Sequence, residues 1–189
     1  MRPLEYLLGL ESIILALALG DLTRSLHRLL LAGDRVKWDF LSPLAAIMVL
    51  LKIVNHWWRW FRLERIANQL TFEMFLGVVA ATVVLYLISA ATLPDEVPTG
   101  PIDLRAHYTA VSRRLWILFL IQGLLTALVN SRAATQTGGS QFQTLAPYLV
   151  ILPAALSLVV IRNRAWHTLC LIGLSAFYAF QYFGQVLRA

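Results

Sequence analysis

Cysteine is nearly absent. The single Cys170 lies in an apolar segment, so no intrachain disulfide can form and no thiolate metal site is suggested. Charge is scarce too: Asp, Glu, Lys and Arg make up 14% of 189 residues, against about 25% in soluble domains. That shortage excludes an ordinary water-soluble domain. There is also no phosphate loop, no nucleophile elbow and no His-Glu-x-x-His metal motif. We therefore expect neither an enzyme nor a cofactor-dependent protein. Acidic residues number 10 against 16 Lys and Arg, a formal net charge of +6. No basic run accompanies a soluble fold, so this excess is expected to meet anionic headgroups and set orientation in a bilayer; no nucleic-acid partner is expected.

What the chain has in abundance is apolar residues, 59% of the total. Six runs, at 4–22, 41–58, 70–93, 115–129, 145–161 and 166–187, approach the roughly 20 residues a helix needs to cross the hydrocarbon. The expected architecture is an all-α polytopic bundle of six transmembrane helices, one membrane domain over residues 1–189. Glu5 and Glu11, with no small-x-small cleavage pattern, argue against a signal peptide at the start. Residues 23–32 keep a helical pattern while adding Arg24, His27 and Arg28, which suits a helix emerging among headgroups, and Gly33 fits its C-cap. Ser42 and Pro43 read as an N-cap followed by proline at the first helical position. Trp57, Trp58 and Trp60, with Arg59, Arg62 and Arg65 around and beyond them, form an interfacial belt. Residues 103–114 read as an interfacial lead-in to the fourth span, and 130–144 as a solvated loop. Pro153 should kink the fifth span, and Gly173, Ser175, Ala176, Ala179 and Gly184 should permit close helix contact along the sixth.

The chemistry-bearing residues are the ionisable ones inside these runs. A lipid-facing charge at a helix centre costs about 2.5–3.5 kcal/mol on insertion scales, so Lys52 should face other helices or a wet cavity. Glu11, Lys52 and His56, with Asp21 and Glu73 nearer the interfaces, form a candidate polar core to which Asn55 adds donors and an acceptor. Lys52, His56 and Arg59 share one helical stripe, and Glu73 lies at a depth that makes a His56–Glu73 contact feasible. Such residues either line an ion path or form a buried pair that fixes packing. Depth suggests a partner: Glu11 stands about two residues before the middle of its run and Lys52 about two past the middle of the next, antiparallel one. Glu11 and Lys52 should therefore pair. A competing pairing, Asp21 with Lys52, arises if the first helix continues unbroken to Ala32. His27, His107 and His167 fall towards one membrane face, which leaves a histidine-ligated metal or haem as a further alternative.

The stretch VNHWWRWFRLERIANQLTFEMFLGVVAATVVLYLIS across the second and third spans resembles the transmembrane protein 175 family, six-helix potassium and proton-leak channels of lysosomes and bacteria. There too an aromatic, asparagine and histidine cluster ends the second helix and a short basic turn leads to an apolar third. The resemblance implies a homo-oligomer with the first helix lining a central pore. Where that family carries a Phe-Ser-Asp signature, this chain has Leu10-Glu11-Ser12. Placing Ser12 on the aspartate sets Leu17 at the main apolar constriction and Asp21 on the next pore turn.

The expected function is accordingly an ion channel or channel-like protein passing monovalent cations or protons. It would sit in a bacterial inner membrane as a homo-oligomer, with the lipid bilayer as its main partner. The alternative is a non-conducting membrane subunit or sensor whose charges are structural. Arg24, Arg28, Arg35, Lys37, Arg105, Arg113, Arg114, Arg162 and Arg164 fall on the first, third and fifth connections; Arg2, Arg59, Arg62, Arg65, Arg132 and Arg188 fall on the other side. This bias points to termini outside. The resemblance implies cytoplasmic termini, and the expectation follows the resemblance.

Overall fold

The structure is a computed structural model that describes residues 3–60, 70–96 and 100–186. Its helices are α1 (Pro3–Ala32), α2 (Leu41–Trp60), α3 (Phe72–Thr92), α4 (Leu104–Thr137), α5 (Gln141–Leu145), α6 (Tyr148–Val160) and α7 (Arg164–Val186). Two strand stubs, β1 (Val36–Lys37) and β2 (Ile102–Asp103), interrupt an otherwise all-α chain. Five stretches are long and apolar enough to cross a membrane: Leu4–Arg35, Leu41–Trp58, Phe72–Thr92, Leu104–Thr137 and Gln141–Val160. A chain with five such stretches is an integral membrane protein. The 23-residue α7 has the length, but its side chains beyond Gln181 lie outside the described residues, and among the described residues it is not one of the five.

Packing follows the apolar stripes. On α1 the buried positions Leu4, Leu7, Glu11, Leu15, Ala18, Leu22, Ser25 and Leu29 recur every three or four residues, one helical face turned inwards. α3 lies between α1 and α4, α4 also packs on α6, and α2 packs on α7 while touching α1, α3 and α4. The core between them holds Met48, Leu85, Trp116, Phe119 and Leu171, all with no exposed surface. The first, third and fifth connections gather at one end. There β1 pairs in parallel with β2, Val36 opposite Ile102 and Lys37 opposite Asp103. Ser25 donates to Asp95 (3.3 Å), Arg28 donates to the Asp95 carbonyl, Ser42 donates to the Leu104 carbonyl (3.0 Å), and Arg164 forms an ion pair with Asp39. With these connections gathered at one end, consecutive long helices run in opposite directions.

Several local expectations are corrected. The second helix starts at Leu41, two residues ahead of the expected first helical residue Pro43; the Leu41 N–H donates to the Asp39 carboxylate (3.3 Å), and Ser42, not needed as the cap, ties α2 to α4. Residues 104–114 are the first turns of the helix that carries the fourth span, and Asp103 caps it, accepting from the Arg105 and Ala106 N–H groups (2.9 and 3.0 Å). The Ala106 N–H above all holds the Asp103 carboxyl below its ordinary value. Most of the expected loop 130–144 is helical as well. α4 runs 34 residues, about 51 Å at 1.5 Å per residue, well beyond a hydrocarbon core of about 30 Å. Polarity alone does not break a helix. Ala133, Ala134 and Gln136 favour one, and α4 ends where Gly138 takes a left-handed φ of 66° and the Gly139 N–H bonds the Ala134 carbonyl. α5 then folds back, Gln141 bonding the Ser131 hydroxyl and carbonyl (3.0 Å each). Close approach falls elsewhere than at Gly173, which is exposed with open space around it. It occurs on α4 and α3: a Cβ at Gly123 would stand 2.9 Å from Leu152, and one at Gly77 2.8 Å from Val129.

Candidate functional site in the polar core

Glu11 occupies a core position on the inward stripe of α1 and is 1% exposed. Its Oε2 lies 3.2 Å from His56 Nε2 of α2 and accepts the hydroxyl of Thr82 from α3. His56 Nε2 is also 3.0 Å from Thr82 Oγ1. An Nε2–H is thus positioned between two oxygens, while Thr82 spends its own hydrogen on the carboxylate. Three helices meet through one carboxylate oxygen. The other, Glu11 Oε1, is buried without a hydrogen-bond partner.

One turn along α2, Lys52 lies 7% exposed and points the other way, towards α4 and α7. Its Nζ donates to the Tyr178 hydroxyl (2.9 Å) and stands 4.6 Å from the Phe119 ring centroid and 5.0 Å from that of Tyr178. Aromatic faces attract a desolvated cation, so these rings replace part of its hydration. Asn55 is buried beside it and donates to the Tyr178 carbonyl (3.4 Å). The expectation that Lys52 faces other helices holds.

The expected Glu11–Lys52 pair does not: Glu11 takes His56 and Thr82, and Lys52 takes Tyr178. The register differs by 56 − 52 = 4 residues, one helical turn or about 6 Å. The apolar run of α1 is a poor guide to depth because the helix continues to Ala32. That continuation does not pair Asp21 with Lys52 either. Asp21 lies towards the clipped end, within electrostatic reach of Asp95, Arg24 and Arg28, with Oδ2 buried and unbonded. Nor does His56 meet Glu73, which is exposed in the first turn of α3, where the helix dipole favours an acid. The basic stripe divides, Lys52 facing α4 and α7 while His56 faces α1 and α3. The Arg59 side chain, Arg62 and Arg65 lie outside the described residues. Leu17 is 59% exposed on the outer face of α1, in line with Tyr6, Leu10 and Ile13.

Thr82, Phe119 and Tyr178 were not expected in the core. For Thr82 a signal existed: Thr82, Ser89 and Thr92 mark one face of an otherwise apolar α3, and all three are buried. Ser89 uses that face to donate to the Ala18 carbonyl (2.7 Å). The histidines do not converge. His27 is exposed, and His167 has Nδ1 on the Tyr108 hydroxyl and Nε2 on the Ile161 carbonyl, 2.8 Å each. Among the described residues no three His, Cys, Asp or Glu are grouped to hold a metal ion.

Compared with protein-family models, curated proteins and solved structures, the chain gives no match. The resemblance described for α2 and α3 therefore rests on the residues quoted for it.

Proposed function

We propose that this protein is a channel-like membrane protein passing protons or monovalent cations, with Glu11, His56 and Thr82 as a proton-accepting station inside the bundle. The observation that carries this reading is the unpaired, buried Oε1 of Glu11. A buried carboxylate oxygen without a donor is costly and is relieved by a proton or a passing cation. His56, touching the other oxygen through Nε2, is the residue type whose charge changes most readily near neutrality. In this reading α7 is the sixth span and both termini lie at the end away from the clips, in the cytoplasm of a bacterial cell. The outer stripe of Tyr6, Leu10, Ile13 and Leu17 supports a homo-oligomer in which α1 faces the axis.

One observation favours the second reading, a non-conducting subunit or sensor. Lys52 is enclosed by Tyr178 and Phe119, the arrangement of a charge that locks packing. Proteoliposomes loaded with a pH-sensitive dye separate the two. We expect proton flux from the native protein and a loss of about tenfold or more in Glu11→Gln, with the helical content of both preserved. Absence of flux across voltage and pH, or equal flux from native and variant, would leave the structural reading in place.

A further inference from the structure

At the clipped end, a cleft of about 280 Å³ opens between the start of α2, the first half of α4 and the turn from α6 to α7. Four arginines line it, Arg113 and Arg114 from α4, Arg162 from the turn and Arg164 from the start of α7, and none of its lining residues is acidic. Four like charges around one small space repel one another, an arrangement that an anion relieves. Arg164 spends Nη2 on Asp39, while its Nη1 is buried without a hydrogen-bond partner. Among the described residues, no hydrogen bond or ion pair engages Arg113, Arg114 or Arg162. Ser112 and Thr109 add hydroxyls to the same wall.

The cleft is held in shape by a fully satisfied chain of polar groups. Trp116 Nε1–H reaches the Tyr108 oxygen (3.4 Å), the Tyr108 hydroxyl reaches His167 Nδ1 (2.8 Å), and His167 Nε2–H reaches the Ile161 carbonyl (2.8 Å). That last bond fixes the backbone of the turn carrying Arg162, so the floor of the cleft is set before any ligand arrives. Below them the wall is apolar, with Leu158 and Val159 in the cleft and Leu156 and Val160 exposed along α6 at 54% and 71%. Ligand pockets run from about 300 to 1,000 Å³, so this one suits a small headgroup and not a large soluble ligand.

We propose that this cleft binds the phosphate of an anionic phospholipid, the guanidinium groups holding its oxygens and the exposed face of α6 taking its chains. Planar guanidinium forks suit phosphate oxygens at either face of a bilayer. The assignment does not depend on whether the protein conducts.

Native mass spectrometry of the detergent-purified protein, given phosphatidylglycerol, phosphatidylcholine or inorganic phosphate, tests it. Phosphatidylglycerol should be retained over phosphatidylcholine, and Arg113→Gln with Arg162→Gln should weaken that retention by about tenfold. Arg132→Gln, at the far end of α4, should leave it unchanged. Equal retention of the two lipids, or an unaffected double variant, overturns the proposal. So does displacement of the lipid by an equal concentration of inorganic phosphate, which would mark a site for a soluble anion. Circular dichroism checks the fold of the double variant, and if it fails, single Arg162→Gln on the turn gives the same reading at smaller amplitude.

Discussion

Replacing His56 by Leu removes the group whose Nε2 lies 3.2 Å from Glu11 and leaves that carboxylate, 1% exposed, with Thr82 as its remaining donor. Breaking a buried pair from one side costs about 3–5 kcal/mol in water-soluble proteins. In bilayers, measured couplings of polar pairs between helices average about 0.6 and reach about 1.7 kcal/mol, because the unfolded chain also finds partners there. Glu11 sits near the upper end of that range, since its other oxygen has no partner to fall back on. We expect His56→Leu to destabilise by about 2–4 kcal/mol and Glu11→Gln by less, because the amide still accepts from Thr82. The double variant should be more stable than the sum of the singles implies, with a coupling of about 1–2 kcal/mol. Unfolding in mixed micelles of increasing sodium dodecyl sulfate, followed by circular dichroism, gives all four corners of the cycle. A Glu11–His56 coupling under about 0.3 kcal/mol, or a Glu11–Lys52 coupling as large as it, would refute the assignment of partners.

Two further outcomes follow from the packing and the caps. Gly123→Val should cost about 1–3 kcal/mol by pushing α4 from α6, where even a Cβ meets Leu152 at 2.9 Å; the same change at Gly173, with open space around it, should be nearly silent, and thermal melts of both compare them. The Asp103 carboxyl, held below its ordinary 3.8 mainly by the Ala106 N–H, supports the start of α4 at every pH above 3.8 and loses that support as pH falls through its lower folded value. Asp103→Asn, which keeps the cap without titrating, should flatten the acid side of a plot of melting temperature against pH; an unchanged acid limb would mean that Asp103 contributes nothing to it.

Helix positions were legible because apolar runs of membrane length leave few alternatives, and the burial of Lys52 was legible because a lysine in such a run has nowhere else to go. What lay beyond the sequence was register. Depth counted from the centre of an apolar run assumes that the run and the helix share a centre, and in α1 they do not, since the helix continues past Leu22 to Ala32. A slip of one turn keeps a residue on nearly the same face while exchanging its partner, which is how His56 takes the place expected of Lys52. Phe119 and Tyr178 could not be assigned for another reason. An aromatic residue in a membrane helix carries no mark saying whether it meets lipid, a neighbour or a cation. Residues 130–137 misled through composition, because their polarity suggested a loop where the chain is helical.

The pairing of Val36 with Ile102 joins residues 102 − 36 = 66 positions apart, and that separation orders events during synthesis. The hairpin of α1 and α2 leaves the ribosome with the backbone groups of β1 unmatched. They stay so until α3 has been made and residues 100–103 emerge. The same holds for Ser42, whose acceptor is the carbonyl of Leu104, and for Asp39, whose arginine comes later still, at position 164. Membrane insertion of the first helix pair and its final fastening are therefore separate steps, with the second waiting on more than half of the chain. A truncation that ends before residue 102 would keep the contacts of Ser25 and Arg28 to Asp95 but lose the strand pairing, the acceptor of Ser42 and the partner of Asp39.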